Sequence, residues 1–308
     1  MWTNSSVEGG SILCIAKSTI SLYTFSMRSF LNEFVWFGLL EARACVFAGS
    51  FFLVLLLSQW WPTSILARYD FLCLAAVAIQ LLLIWLHIET IHEVMVLAVF
   101  HALGLLLELF KTHPAIGSWS YPEPGVLKIG WVPLYSGFMY AAVASYICQA
   151  WRLFHLDLRR LPPTWMSLTL AFAIYANFFV HHFWVDQRWW IIGAVVVVYS
   201  PTMVDFTVTT KRRSMPLVVS FFLIGFFIWV AENLSTLGGA WVYPDQKTGW
   251  KPVGWNKITS WFLLVIVTFI IVAWLKRVKA KQHGRYSIQT VENIRELSER
   301  SESVVSFR

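Results

Sequence analysis

Two glutamates stand in the same sequence setting. Glu108 is followed by W-x-Y-P at residues 119–122 and G-W-x-P at 130–133. Glu232 is followed by W-x-Y-P at 241–244 and G-W-x-P at 249–252. A carboxyl group held near an apolar pocket can serve as a proton donor, and the segment YANFFVHHFWVDQR supplies His181 and His182 as candidate bases. The candidate catalytic residues are therefore Glu108, Glu232, His181 and His182. The candidate ligand contacts are Trp119, Tyr121, Trp241, Tyr243, Asp186 and His101. Trp and Tyr combine an apolar face with a polar tip, which suits a pocket that holds a lipid-like or small-solute ligand.

Helical spacing groups these residues. His101, Gly104, Glu108 and Lys111 fall on one helix face, as do Gly225, Trp229, Glu232 and Thr236. The competing account of Glu108 is a plain ion pair with Lys111 at the membrane edge. Adjacent histidines point in different directions on a helix, so only one of His181 and His182 would face a given pocket. Asp186 lies one turn beyond His182 if that helix continues. A metal would need His181 or His182, Asp186 and a glutamate from another span, an unspecific set beside histidines hydrogen-bonded within the bundle, so no metal is assigned and the cofactor is left open. The acidic and histidine-rich HIETIHE stretch (residues 87–93) reads as a polar turn between helices, without the i, i+4 histidine pair of a zinc helix. Glu41, Arg43 and Asp205 form a possible polar layer at the opposite end of the bundle.

The elements that must carry these residues are membrane helices. Of 308 residues, 57% are hydrophobic and only 13% charged, and the mean hydropathy is +0.61. Soluble domains carry about 25% charged residues, so the composition excludes an ordinary soluble enzyme. The net charge of +7 does not argue for nucleic acid, because much of the excess sits in short loops and in the tail, where it orients helices against lipid. Cys14, Cys45, Cys73 and Cys148 form no CxxC pair, and read as small apolar side chains. The N-terminus shows no signal-peptide pattern. A sequon at Asn4 is too short a motif to weigh.

Apolar runs of about 20 residues occur near 34–59, 71–88, 94–110, 132–150, 165–184, 189–206, 215–233 and 258–275. The fold class predicted is all-α: a polytopic integral membrane bundle of about eight transmembrane helices in two parallel four-helix repeats. The boundaries are an N-terminal extension at 1–33, a first membrane repeat at 34–150, a basic cytoplasmic linker at 151–164, a second repeat at 165–276 and a charged cytoplasmic tail at 277–308. Ser287 to Val305 could form a short amphipathic helix or remain disordered. Basic residues place both termini in the cytoplasm and both W-x-Y-P loops outside, in the plasma membrane. Parallel repeats commonly build a site at their shared interface, which would bring Glu108 and Glu232 to the same end of the bundle.

The runs GSWSYPEPGVLKIGWVPLYSGFMYAAVASY, NFFVHHFWVDQR, WVAENLSTLGGAWVYP and KITSWFLLV resemble the YoaT-like family of multi-pass membrane proteins, domain of unknown function 817. The resemblance covers about residues 34–276. It implies an integral membrane protein and carries over no catalytic residue. An architectural likeness to membrane carotenoid cyclases and hydratases is confined to repeated helices and loop style. Two functions follow: handling of a lipid or isoprenoid by an outer carboxylate–histidine pocket, or small-solute or proton-coupled transport. A pocket that opens to lipid favours the first; a polar path from Glu108 through His101 to Glu41 favours the second. Membrane lipid is the expected partner, and nucleic acid is not. The sequence specifies neither the oligomeric state nor whether the chain is an enzyme.

Overall fold

The computed structural model describes residues 30–277. The sequon at Asn4, Cys14, the tail segment from Ser287 to Val305 and most of both terminal regions lie outside those residues. Nine α-helices occur among the described residues: α1 (Phe30–Ala44), α2 (Val46–Leu57), α3 (Arg68–Trp85), α4 (Ile91–Lys111), α5 (Tyr135–Leu153), α6 (Thr164–Val180), α7 (Arg188–Tyr199), α8 (Leu217–Leu237) and α9 (Asn256–Arg277). Helices α1 and α2 meet at a 70° bend. Each apolar run of the sequence overlaps one of these helices, or the bent pair.

Four helices are long and apolar enough to cross a membrane: α3, α4, α8 and α9. The bent pair α1–α2 makes a fifth if it counts as one span. The remaining helices fall short for different reasons. At about 1.5 Å per residue, α6 and α7 rise roughly 26 and 18 Å, less than the ~30 Å hydrocarbon core. Helix α5 is long enough but rich in Ala, Ser, Gly and Tyr. It is buried along most of its length, so its surface meets other helices. Small residues are what close helix contacts in a membrane require. The outer helices show the opposite pattern. Leu74, Leu81, Leu106, Phe222 and Phe227 are exposed, an apolar exterior that only lipid suits.

The bundle is not all-α. Strand β1 (Lys128–Ile129) pairs antiparallel with β2 (Val132–Pro133) in the loop before α5. At the opposite end, β3 (Asp157–Arg159), β4 (Met203–Thr207) and β5 (Arg212–Pro216) form an antiparallel sheet in the order β3-β4-β5. This corrects two expectations. The stretch predicted as a span at 189–206 ends as helix at Tyr199, and the linker after α5 contributes a strand. Asp205 accounts for the change. Its carboxylate accepts from Ser214 Oγ, meets Arg159 Nε at 2.7 Å and Arg212 Nη2 at 3.1 Å, and so belongs in a polar sheet outside the apolar layer. Glu41 lies apart from this network and bonds Tyr146. The sheet end also holds the start of α1, through a Glu33–Arg213 ion pair at 2.7 Å, and the end of α9, through Arg277 on Thr164 Oγ1 at 3.1 Å.

The HIETIHE turn is polar as read, but shorter. Helix α4 already begins at Ile91, with Thr90 and Glu93 forming a reciprocal capping box. Glu89 is buried in the turn and accepts from Gln80 Nε2 at 2.5 Å and from Ser145 Oγ.

Candidate functional site

The two W-x-Y-P segments lie side by side. Ser120 N–H donates to the Val242 carbonyl at 2.9 Å, and Val242 N–H to the Ser120 carbonyl at 3.0 Å. The Trp119 and Tyr243 rings meet edge to face at 6.0 Å. Local sequence explains the shape of these loops. Gly130 and Gly239 adopt φ of +59° and +66°, a region that side chains disfavour. Proline after each tyrosine forbids helix and keeps that tyrosine extended. Arg68, buried at the start of α3, then ties the loops together: Nη1 meets Glu123 Oε1 at 2.6 Å and Nη2 donates to the Gly238 carbonyl at 2.6 Å. Asp70 accepts the Val126 and Leu127 N–H groups at 2.8 and 2.7 Å.

Each glutamate is bound by the loop that follows it. Glu108 is 2% exposed. Its Oε2 accepts from Trp119 Nε1 and the Tyr121 hydroxyl, and its Oε1 accepts from the Tyr140 hydroxyl, all at 2.8 Å. Glu232 Oε1 accepts from the Tyr243 hydroxyl at 2.5 Å, and Oε2 from Trp261 Nε1 at 2.7 Å. Burial first, then the neighbouring carboxylate, pushes the Tyr121 and Tyr243 phenols well above their ordinary value of 10.0. Both phenols therefore stay protonated. Two glycines permit the outer donors to arrive. A side chain at Gly104 would overlap Tyr140, and one at Gly225 would lie 2.9 Å from the Phe262 nitrogen. These close approaches seat α5 on α4 and α9 on α8, and so bring Tyr140 and Trp261 to the carboxylates.

Lys111 does not pair with Glu108. Its Nζ lies 2.8 Å from His182 Nε2 and 3.3 Å from His181 Nε2. An ammonium only donates, so both Nε2 atoms accept and both rings are neutral. His181 Nδ1 is 2.7 Å from the Asn177 carbonyl and donates to it. Burial, followed by the Lys111 charge, holds the His182 imidazole down to about 4. Both rings reach Lys111 because α6 ends at Val180, yet only His181 lines the adjoining cavity, in line with one histidine to a pocket. Both rings sit in the turn beyond the helix, with centroids 4.1 Å apart, free of the 100° step that would separate them. Asp186 follows in the loop before α7. Burial pushes its carboxyl up, but bonds from Asn177 Nδ2 and the Arg188 N–H outweigh this and hold it below its ordinary value.

A cavity of about 140 Å³ opens where these groups converge. Of the residues singled out from sequence, Glu108, Glu232, His181, Trp119, Trp241 and Tyr243 line it. Four do not. Tyr121 and His182 act one step behind the lining, on Glu108 and Lys111. Asp186 holds Arg188 at 3.3 Å. His101 lies deeper in α4, 4.4 Å from the Phe138 ring, with Nδ1 buried and unpartnered. Sequence reasoning missed Tyr140, Trp261, Lys257 and Arg188 as lining residues. One signal was available: Tyr140 and Trp261 are each the sixth residue of the helix after a G-W-x-P loop, since α5 begins at Tyr135 and α9 at Asn256. Among the described residues no group of three or more His, Cys, Asp or Glu could hold a metal ion.

This arrangement can do two things. It fixes two loops over the end of the bundle through buried carboxylates, and it encloses an aromatic space with cationic groups on its wall. The protein is similar to "Uncharacterized protein YoaT" of Bacillus subtilis (strain 168), with 50% identity over 249 residues, 81% of this chain and 94% of that one. Two crystal structures of an Insig homologue from Mycobacterium vanbaalenii, one of them a cross-linked trimer, overlap it at a TM-score of 0.40 and 16% identity, over 59% of this chain and 92% of theirs. The profile of the family described as "Protein of unknown function (DUF817)" matches residues 33–269. With that profile over most of its length and a relative at 50% identity, the chain belongs to the DUF817 family.

Proposed function

We propose that this protein is a plasma-membrane binding protein for a lipid-like molecule, with the polar head of the ligand held under the paired W-x-Y-P loops. One observation carries the reading: a cavity of about 140 Å³, walled by Trp119, Trp241, Tyr243 and Phe178, lies inside a bundle whose exterior is apolar. Ligand pockets have this character, with aromatic walls and a few convergent polar groups. Transport coupled through His101 has less support. That ring packs on Phe138, its Nδ1 bonds nothing, and Glu41 bonds Tyr146. Acid–base chemistry on the bound lipid is a second reading, favoured by Glu108 and His181 lining one cavity.

The reading includes eight crossings in two parallel four-helix units, with α1–α2 as one crossing and both termini cytoplasmic. Support comes from the pairing of Ser120 with Val242, which requires an even number of crossings between the loops. The β3-β4-β5 sheet gives the same parity for α6 and α7. The short helices α6 and α7 would cross where the bilayer thins locally, which costs only a fraction of a kcal/mol per Å of mismatch.

Native mass spectrometry of the full chain released from lipid nanodiscs tests the binding reading. A retained lipid, lost on Trp119→Ala with Trp241→Ala, supports it. A folded wild-type chain that retains none overturns it.

A further inference from the structure

The cavity wall is cationic in a way the loops do not require. Lys111, Arg188 and Lys257 all line it. They come from three different helices, α4, α7 and α9, and Lys111 lies close enough to feel the charges of the other two. The carboxylates on the same wall do not neutralise them by contact. Glu108 and Glu232 turn their oxygens to indole and phenol donors. Among the described residues neither Lys111 nor Lys257 forms an ion pair.

Each cation keeps donor capacity. Lys111 places its ammonium against two neutral imidazoles, which leaves at least one of its three N–H groups. Lys257 Nζ sits 4.5 Å from the Tyr243 ring centroid and 5.4 Å from that of Trp119, held between the two loops by ring faces that accept no conventional hydrogen bond. Arg188 spends Nη1 on Asn256 O and Thr259 Oγ1 and Nη2 on Asp186, while its Nε is buried without a partner. Arg188 and Lys257 also sit in the first turns of α7 and α9, where the backbone adds positive potential. The three cations repel one another across the cavity, a repulsion that Asp186 on Arg188 and the carboxylates near Lys257 offset in part and that a bound anion would relieve further.

We propose that this cavity is an oxyanion site for a phosphate ester group, bound by Lys111, Arg188 and Lys257. Cations approaching from three helices suit a tetrahedral group with several free oxygens better than a planar carboxylate. The volume agrees: a cavity of ~150 Å³ holds a benzene-sized ligand, and a phosphate head is of that size. Leu107, Met139, Phe178 and Leu264 on the same wall offer an apolar seat to whatever the phosphate carries. The inference rests on the lipid-binding reading for the source of the phosphate; the site itself also admits a phosphate group free in solution.

The test uses the purified full chain in dodecyl maltoside, titrated with dihexanoyl phosphatidic acid, dihexanoyl glycerol and inorganic phosphate and read by calorimetry. Phosphatidic acid is expected to bind, and dihexanoyl glycerol to bind much more weakly. Lys257→Gln is expected to weaken phosphatidic acid by about ten- to hundredfold, as loss of a charge-assisted bond predicts, while Lys257→Arg retains binding. Lys257 is the residue chosen because its substitution leaves the buried Lys111–histidine cluster intact; an unchanged size-exclusion profile verifies folding. If inorganic phosphate binds as tightly as phosphatidic acid and shares the Lys257→Gln loss, the oxyanion site stands and the lipid reading falls. If dihexanoyl glycerol matches phosphatidic acid and neither responds to Lys257→Gln, the lipid reading stands and the oxyanion site is overturned. Absence of binding by all three probes overturns both.

Discussion

Ser120 and Val242, 122 positions apart and each the central residue of a W-x-Y-P segment, exchange two backbone hydrogen bonds. In an antiparallel pair of this kind the Cα atoms lie about 5.5 Å apart, within the range that a disulfide bridges. Ser120→Cys combined with Val242→Cys should therefore cross-link under mild oxidation, and either single variant should not. Non-reducing electrophoresis after cleavage between the two sites reads the result. A double variant that stays unlinked would show that the loops do not lie together in the membrane.

The same pairing sets the parity of the proposed topology, and the basic segments its orientation. Reporter fusions at residues 155, 211 and 285 are expected to read cytoplasmic, and fusions at 120 and 246 to read outside. An outside signal at residue 285 would refute the orientation drawn from the basic segments.

Replacing Glu108 by Gln should be mild, and replacing it by Leu severe. In Glu108→Gln the amide oxygen can keep the Trp119 and Tyr121 bonds while the amide nitrogen donates to Tyr140, whose hydroxyl rotates to accept. In Glu108→Leu three buried donors lose their acceptor, at about 1–3 kcal/mol each. The same contrast holds for Glu232, with two donors at stake. Membrane abundance and thermal unfolding of the four variants check this. Wild-type abundance for Glu108→Leu would mean that the carboxylate does not hold the cap.

Acid should loosen the three-stranded sheet. Hydrogen bonds from Ser214 and then Arg159 hold the Asp205 carboxyl below its ordinary 3.8. A carboxyl depressed in the folded state contributes stability above its unfolded value, and that contribution is lost as pH falls through the folded value. Thermal unfolding in detergent should lose stability as pH falls below about 4, and Asp205→Asn should reduce that loss. An identical pH profile for the variant would place the acid sensitivity elsewhere.

Much of the site was legible because sequence marks it twice. Glu108 and Glu232, with their following Trp and Tyr residues, could be paired by spacing alone, and the helices carrying them show as apolar runs. The cations were harder to see. Lys257 and Arg188 each sit at a helix start, where a charged residue is ordinary, and only the assembled bundle turns both to one cavity. The shared contact of His181 and His182 with Lys111 was hidden for a related reason: no Gly or Pro marks the end of α6 at Val180, where a turn lets both rings reach it, while only His181 lines the cavity, as one histidine to a pocket implies. The sheet escaped notice because β4 (Met203–Thr207) continues the apolar pattern of α7, and its partners lie in two separate linkers.

Arg68 gives the cap its mechanics. One guanidinium reaches Glu123 in the first loop and the Gly238 and Gly239 carbonyls in the second, while its Nε holds Ser58 at the end of α2. The two loops therefore share this latch in addition to the Ser120–Val242 pair. A molecule entering from above would have to break that latch together with both glutamate anchors. Sliding in between helices asks for none of these ruptures, so on the proposed lipid-binding reading the expected route of entry is through the side of the bundle.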